Sequence, residues 1–259
     1  MSLCVAGDVR GVTQFRDVVY VISRGSSVVR RFSAATHLRL ADVVVKGLTD
    51  PWDVAACERT SRLYVADDNE RVWRLSSDGR DVKRWLQTSE SDVFRPWSLS
   101  VTSTRLLVTS KYDRQLRQFD AGGSEVGRVR LPDYMRCHHA VESPSTAFVV
   151  SHENTELKQW QVSEVDTDGR VLRQFSGARL PSPNNPPHLA VDSRGNVFVA
   201  DVDGCRILLL DAQLALRRVV IDKHQLNDRE PWRLCYTEHS GQLLVGLYRS
   251  LELYHVLRR

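Results

Sequence analysis

The sequence predicts an all-β fold, a six-bladed β-propeller of four-stranded antiparallel blades, and three observations carry that expectation. First, a pentad recurs as PWDVA (51–55), PWSLS (96–100), RCHHA (136–140), PPHLA (186–190) and PWRLC (231–235). Its second residue falls at 52, 97, 137, 187 and 232, so the steps are 45, 40, 50 and 45 residues, the size of one blade. A degenerate copy, RGVTQ (10–14), lies 41 residues before the first. Second, each copy is followed at matching offset by further apolar runs of four to six residues, rich in Val, Leu, Tyr, Phe and Trp. Third, Asp-Gly, Ser-Gly and Gly-Gly breaks separate the runs, which is hairpin punctuation and leaves no room for helical periodicity.

In order, the first unit (8–46) reads RGVTQ, VVYVIS, VVRRF and LADVVVK, and the second (50–88) PWDVA, RLYVAD, RVWRL and DVKRWL. The third (95–132) reads PWSLS, RLLVTS, QLRQF and EVGRVRL; the fourth (135–176) RCHHA, AFVVSH, ELKQW and VLRQF. The fifth (186–222) reads PPHLA, NVFVAD, RILLL and ALRRVVI. The sixth (230–259) supplies only PWRLC, QLLVGL and LELYH. Residues 2–7, containing LCVAG, precede the first unit with no sheet of their own. They are expected to complete the last blade and close the ring, since an unpaired edge invites aggregation. Residues 1–259 thus form one propeller.

Composition sets the outer bounds. At 42% hydrophobic and 26% charged, the chain is an ordinary globular one. Thirty-six Lys and Arg against 32 Asp and Glu leave +4, spread along the chain, too mild to imply nucleic acid. No stretch approaches the ~18 consecutive apolar residues of a membrane span, and MSLCVAGDVRGV lacks the apolar core of a secretory signal. Cysteines at 4, 57, 137, 205 and 235 are odd in number, widely spaced and without a CxxC pair, so free thiols are expected, not a disulfide framework or a zinc knuckle. The expectation is a monomeric cytoplasmic protein without a membrane partner or a cofactor.

The pairs PWDVAACERTSRLYVADDNERVWRLSSDG and PPHLAVDSRGNVFVADVDGCRILLLD resemble NHL repeats, in which a Pro-x-Gly-Ile-Ala-like strand precedes Tyr-Val-Ala-Asp and Asn-x-Arg-Val strands. The resemblance spans the chain and is clearest in the second and fifth units. It implies a six-bladed propeller like the C-terminal domain of TRIM-type ubiquitin ligases, where similar domains bind RNA or proteins; others carry lyase or lactone-hydrolase chemistry. The family glycine of the first strand is replaced by Asp53, Ser98, His138, His188 and Arg233. These residues, with Gly11, are expected at the channel mouth.

Two histidines and a carboxylate there could hold zinc or share protons. In the amidating lyases of similar fold, however, the channel histidines stand in a Pro-His-x-Leu setting, and here that place holds Trp52, Trp97, Cys137, Pro187 and Trp232. The Glu and Asn set of calcium-dependent lactonases is likewise missing from the inner strands. No GxSxG, HExxH or Gly-rich phosphate loop occurs, so no metal and no catalytic residue is assigned. Pro-Trp at three equivalent places reads as inter-blade packing, and Trp73, Trp85 and Trp160 as core.

Binding is expected instead on the face formed by the loops that lead from each fourth strand to the next first strand and those that join strands two and three, the latter differing from blade to blade. Arg10, Arg24, Arg229, Arg233, Tyr248 and Arg249 make one basic sector, and Arg95, Lys111, Tyr112, Arg114 and Arg136 another, with Asp67, Asp68 and Glu70 between them. Cations interleaved with tyrosines suit single-stranded RNA. The intervening acids favour a protein or peptide, whose mixed charges can be complementary.

Overall fold

The computed structural model describes residues 2–5, 7–69, 71–87, 94–102, 104–110, 113–175, 186–248 and 250–255. All regular elements among them are strands, and no helix is long and apolar enough to cross a membrane. The chain opens with β1 (Ser2–Cys4). The first blade follows as β2 (Val9–Phe15), β3 (Val18–Ser23), β4 (Val28–Ser33) and β5 (Val43–Val44), the second as β6 (Pro51–Cys57), β7 (Arg62–Asp67), β8 (Arg71–Ser76) and β9 (Val82–Gln87). The third holds β10 (Pro96–Val101), β11 (Leu106–Ser110), β12 (Gln115–Phe119) and β13 (Glu125–Arg130); the fourth β14 (Met135–Glu142), β15 (Phe148–Asn154), β16 (Gln159–Val165) and β17 (Val171–Gln174). The fifth holds β18 (Leu189–Val191), β19 (Val197–Asp201), β20 (Arg206–Leu210) and β21 (Leu216–Ile221). The sixth holds β22 (Arg233–Thr237), β23 (Gln242–Leu247) and β24 (Ser250–His255).

Six four-stranded antiparallel sheets result, and the last takes its fourth strand from the N-terminus in the order β1-β24-β23-β22. Leu3 pairs with Leu251, and Leu3 and Val5 are buried. The fourth run of the first blade is shorter than its sequence suggests: of LADVVVK only Val43 and Val44 pair with β4, and an isolated bridge joins Phe32 to Arg39.

The second strand of each blade is buried along all or nearly all of its length because each blade is covered on both faces by its neighbours. Side chains alternate between the two faces. Val65 packs with Tyr20 and Ile22 of the first blade, whereas Tyr64 and Ala66 pack with Leu99 and Val108 of the third. The remaining junctions are filled in the same way, down to Leu3, Val5, Val12 and Leu251 where the sixth blade meets the first. Trp73 and Trp160 are buried in such junctions and Trp85 packs against another, as expected for core.

Candidate functional site

Register decides what lines the channel. In β6, Pro51 pairs with Asp67 and Asp53 with Ala66, so Trp52 is an extra, bulged residue. The same shift sets out Arg10 in β2, Trp97 in β10 and His138 in β14. Pro187 and Trp232 hold the corresponding places, because Leu189 pairs with Val199 and Leu234 with Val245 just as Val54 pairs with Val65. The inner strands therefore present two tiers. The outer tier, nearer the loops between strands two and three, holds Arg10, Trp52, Trp97, His138, Pro187 and Trp232. The inner tier holds Gly11, Asp53, Ser98, His139, His188 and Arg233, all buried.

This corrects one sequence assignment. His139, not His138, is the equivalent of Asp53, and His138 belongs with the tryptophans. The pentad RCHHA is offset because it lacks the proline that marks four of the six copies, and its Ala matches the Ala of PWDVA one place out of register.

The outer tier is a packed collar. Trp52 and Trp97 stack at 3.9 Å between centroids across two blades, which bears out the packing reading for these two of the three Pro-Trp tryptophans. The Arg10 guanidinium lies over Trp52 at 4.6 Å and Trp232 at 5.8 Å. Trp52 Nε1 donates to Asp68 Oδ1 at 3.0 Å. Trp97 Nε1 donates to His138 Nε2 at 2.5 Å, which requires that nitrogen to be unprotonated. Burial, with Arg233 as the next cause, holds His138 well below the ordinary imidazole range.

The inner tier stitches each blade to another. Asp53 Oδ2 accepts the Ser98 hydroxyl at 2.7 Å and the Leu99 N–H at 2.9 Å, joining the second blade to the third. His139 Nδ1 accepts the Leu189 N–H at 3.3 Å and His188 Nδ1 the Leu234 N–H at 3.3 Å. Arg233 donates through Nε to the Arg10 carbonyl and through Nη2 to the Trp52 carbonyl at 3.1 Å, reaching two blades. Gly11 leaves room for this convergence: a Cβ there would lie 2.8 Å from the Val54 nitrogen.

Asp53, His139 and His188 bring potential ligand atoms within 4.8 Å of one another, and His188 Nε2 lies 3.9 Å from Asp53 Oδ2. Hydrogen bonding argues against a cation. Each histidine accepts a backbone N–H at Nδ1, so its neutral ring carries the proton on Nε2 and offers a donor where a metal needs a lone pair. Arg233 adds a positive charge, its pKa drawn down to about 10 by burial against the pull of Asp53. Burial opposes the charge of Asp53, but His188, Arg233 and His139 together hold its carboxyl well below the usual carboxylate range. Burial likewise keeps His139 and His188 below the ordinary imidazole range, with Asp53 partly countering the effect at both. The tier is a polar plug whose carboxylate and guanidinium offset each other in charge, with His188 Nε2 left without a hydrogen-bond partner among the described residues.

On the loop face, Arg24 is exposed and Tyr248 is 54% exposed. Arg229 is engaged by Glu252 and by Ser250 at 2.9 Å, Arg114 by Asp133 at 3.6 Å and Arg136 by Glu153 at 2.9 Å. Arg95 is exposed, and its backbone N–H donates to Ser110 Oγ at 3.1 Å. Two assignments need correction. Asp67 is fully buried and accepts the Asp50 N–H at 3.0 Å, the Thr49 hydroxyl at 3.1 Å and Trp73 Nε1 at 3.3 Å, so it fastens a loop and offers nothing to a partner. Arg233 is in the channel, not in the basic sector of the face. Glu70, Lys111, Tyr112 and Arg249 lie outside the described residues.

The structure draws Arg10, Arg24, Arg229 and Tyr248 together around a cleft of about 470 Å³ between the sixth and first blades. It also brings in residues the sequence did not single out, the acids Asp8, Asp228 and Glu230. Asp8 precedes the first strand, and the other two lie in the connection from β21 to β22, whose path no sequence signal foretold.

No protein-family model matches the chain, and no curated protein does. Among solved structures it is similar to Kuenenia stuttgartiensis hydrazine synthase, with a TM-score of 0.66 at 13% identity over 97% of this chain and 96% of that one. It is also similar to the WD40 β-propeller domain of Doa1, with a TM-score of 0.65 at 18% identity over 98% and 95% of the two chains. At such identities the likeness is one of fold, and the chain is a six-bladed β-propeller with a WD40 propeller among its structural neighbours.

Proposed function

We propose that the protein is a non-enzymatic recognition module that binds a protein or peptide through the loop face of the ring. One observation carries the reading. The channel carboxylate and guanidinium and the Nδ1 atoms of His139 and His188 are hydrogen-bonded across blade junctions, whereas the cleft on the loop face presents arginine, tyrosine and carboxylate side chains to solvent. The likeness to the WD40 propeller of Doa1 supports an interaction scaffold. Kinship with NHL propellers belongs to the same proposal, as does a single propeller over 1–259 that works as a monomer. The free thiols of Cys57, Cys137, Cys205 and Cys235 support a reducing compartment such as the cytoplasm.

Single-stranded RNA is the weaker reading. Arg114, Arg136 and Arg229 are already held by carboxylates, and Asp8, Asp228 and Glu230 would repel a phosphate chain crossing the cleft. The test is partner capture by the wild type and by Arg24→Glu and Arg114→Glu, beside a random RNA pool titrated through a salt series. Capture that fails in the variants at unchanged melting temperature supports the proposal. Undiminished capture in both moves the site elsewhere, and RNA binding that falls steeply with salt replaces the proposal.

A further inference from the structure

Two arginines of the cleft stand in contrast to the third. Arg229 is tied by Ser250 and Glu252, so its charge is answered within the fold. Arg24 has no ion pair among the described residues; its backbone N–H is fixed by the Asp8 carbonyl at 2.9 Å, which seats its loop at the cleft rim. Arg10 is held between Trp52 and Trp232, and its Nε has no hydrogen-bond partner among the described residues. Burial and the like charge of Arg24 make the Arg10 guanidinium harder to keep protonated, and Asp50 and Asp8 only partly counter them. Two neighbouring cations beside Trp232 and Tyr248 thus face one opening.

We propose that this cleft takes an acidic residue of a peptide, its carboxylate on Arg10 and Arg24 and an adjoining apolar side chain on Trp232 and Tyr248. The inference rests on the reading of the loop face as a peptide-binding surface and names what that surface selects. Guanidinium groups fit carboxylates through paired N–H donors, and an indole behind Arg10 presets its plane. The volume lies within the roughly 300–1,000 Å³ of ligand pockets, so it admits side chains and not a folded domain. Asp8, Asp228 and Glu230 on the same lining disfavour successive phosphates yet leave room for one carboxylate, and can meet the N–H groups or a cation of the same peptide.

The experiment is selection of a random twelve-residue peptide library on the full chain, followed by titration of fluorescein-labelled copies of the enriched peptides. Expected are sequences that place Asp or Glu beside Phe, Trp or Leu. Binding should fall at least tenfold when that acid becomes Asn or Gln and when the protein carries Arg24→Glu or Arg10→Gln. Arg24 is exposed, so its variant should keep the wild-type melting temperature if Arg10→Gln does not. Amidated copies separate a side-chain carboxylate from the peptide's own terminus. Enriched peptides with no acid, or ones indifferent to both variants, overturn the cleft assignment while peptide recognition survives. Displacement of the peptide by an equal concentration of oligouridylate overturns it in favour of RNA. No enriched peptide at all overturns both proposals.

Discussion

The Ser98 hydroxyl donates to Asp53 Oδ2 at 2.7 Å from one blade to the next, and the adjoining Leu99 N–H donates to the same oxygen. Both residues are 2% exposed, so these bonds lie where unpaired polar groups are costly. The carboxylate also balances the buried guanidinium of Arg233.

Asp53→Asn should therefore destabilise the ring by roughly 3–5 kcal/mol, because it leaves a buried cation uncompensated and turns one acceptor into a donor. Urea denaturation measures it. Asp53→Asn with Arg233→Met should cost less than the two single changes summed, since the stranded charge is then gone. A single-variant cost below about 1 kcal/mol would show that the inner tier is not what holds the blades.

Acid should weaken the fold before it alters the surface. His138, His139, His152 and His188 are all held below the ordinary imidazole range, burial being the first cause at each, and His152 is lowered to about 4. The unfolded chain then binds protons near pH 6.5 that the folded chain refuses, so the stabilisation is complete above that pH and is lost as the pH falls through the folded values. Asp53, also depressed, adds to the loss further down. For His152 alone the loss is roughly 3 kcal/mol by pH 4. Melting temperature should drop steadily below about pH 6.5, and His152→Gln should flatten the slope. A melting temperature that does not change from neutral pH to pH 4 would falsify the assignment.

Much of this ring can be read from the sequence, because blade length, turn residues and the two-sided burial of the middle strands each leave a periodic trace. RLYVAD becomes β7 and VFVAD of the fifth unit β19, and the surplus segment ahead of the first unit supplies the closing strand Ser2–Cys4. The inner tier is less legible. A bulge adds one residue without a sequence mark of its own, so in RCHHA the two adjacent histidines exchange roles unless the register is known. Asp67 illustrates a second limit: an aspartate at the end of a strand looks the same whether it fastens the preceding loop or meets a partner, and only burial separates the two. The cleft depends on where Asp228 and Glu230 come to rest beside Arg24, about 200 residues away in the chain.

Zinc should not bind in the channel at stoichiometric level. Occupancy by His139 and His188 through Nε2 would require the proton to move to Nδ1, against the N–H groups of Leu189 and Leu234, with Arg233 repelling the ion. Dialysis of the purified protein against zinc, followed by elemental analysis, should give equal and substoichiometric metal for the wild type and for His139→Gln with His188→Gln. One zinc per chain, lost in the double variant, would establish the opposite tautomers and reopen channel chemistry.

Closure by the first strand should contribute measurably to stability. Leu3 pairs with Leu251 and, with Val5, fills the junction between the sixth and first blades beside Val12 and Leu244. Burying two such side chains is worth about 1.5–3 kcal/mol each. At roughly 2–4 °C per kcal/mol for a chain of this size, removing residues 1–7 should lower the melting temperature by about 10 °C or more. It also bares the edge of β24, so concentration-dependent aggregation should accompany the loss. Leu3→Asp, which keeps the backbone pairing but places a charge in the junction, should reproduce the destabilisation without baring the edge. If the shortened chain melts like the full one and stays monodisperse by light scattering, ring closure by β1 contributes nothing to the fold, and its stability resides in the five other blades.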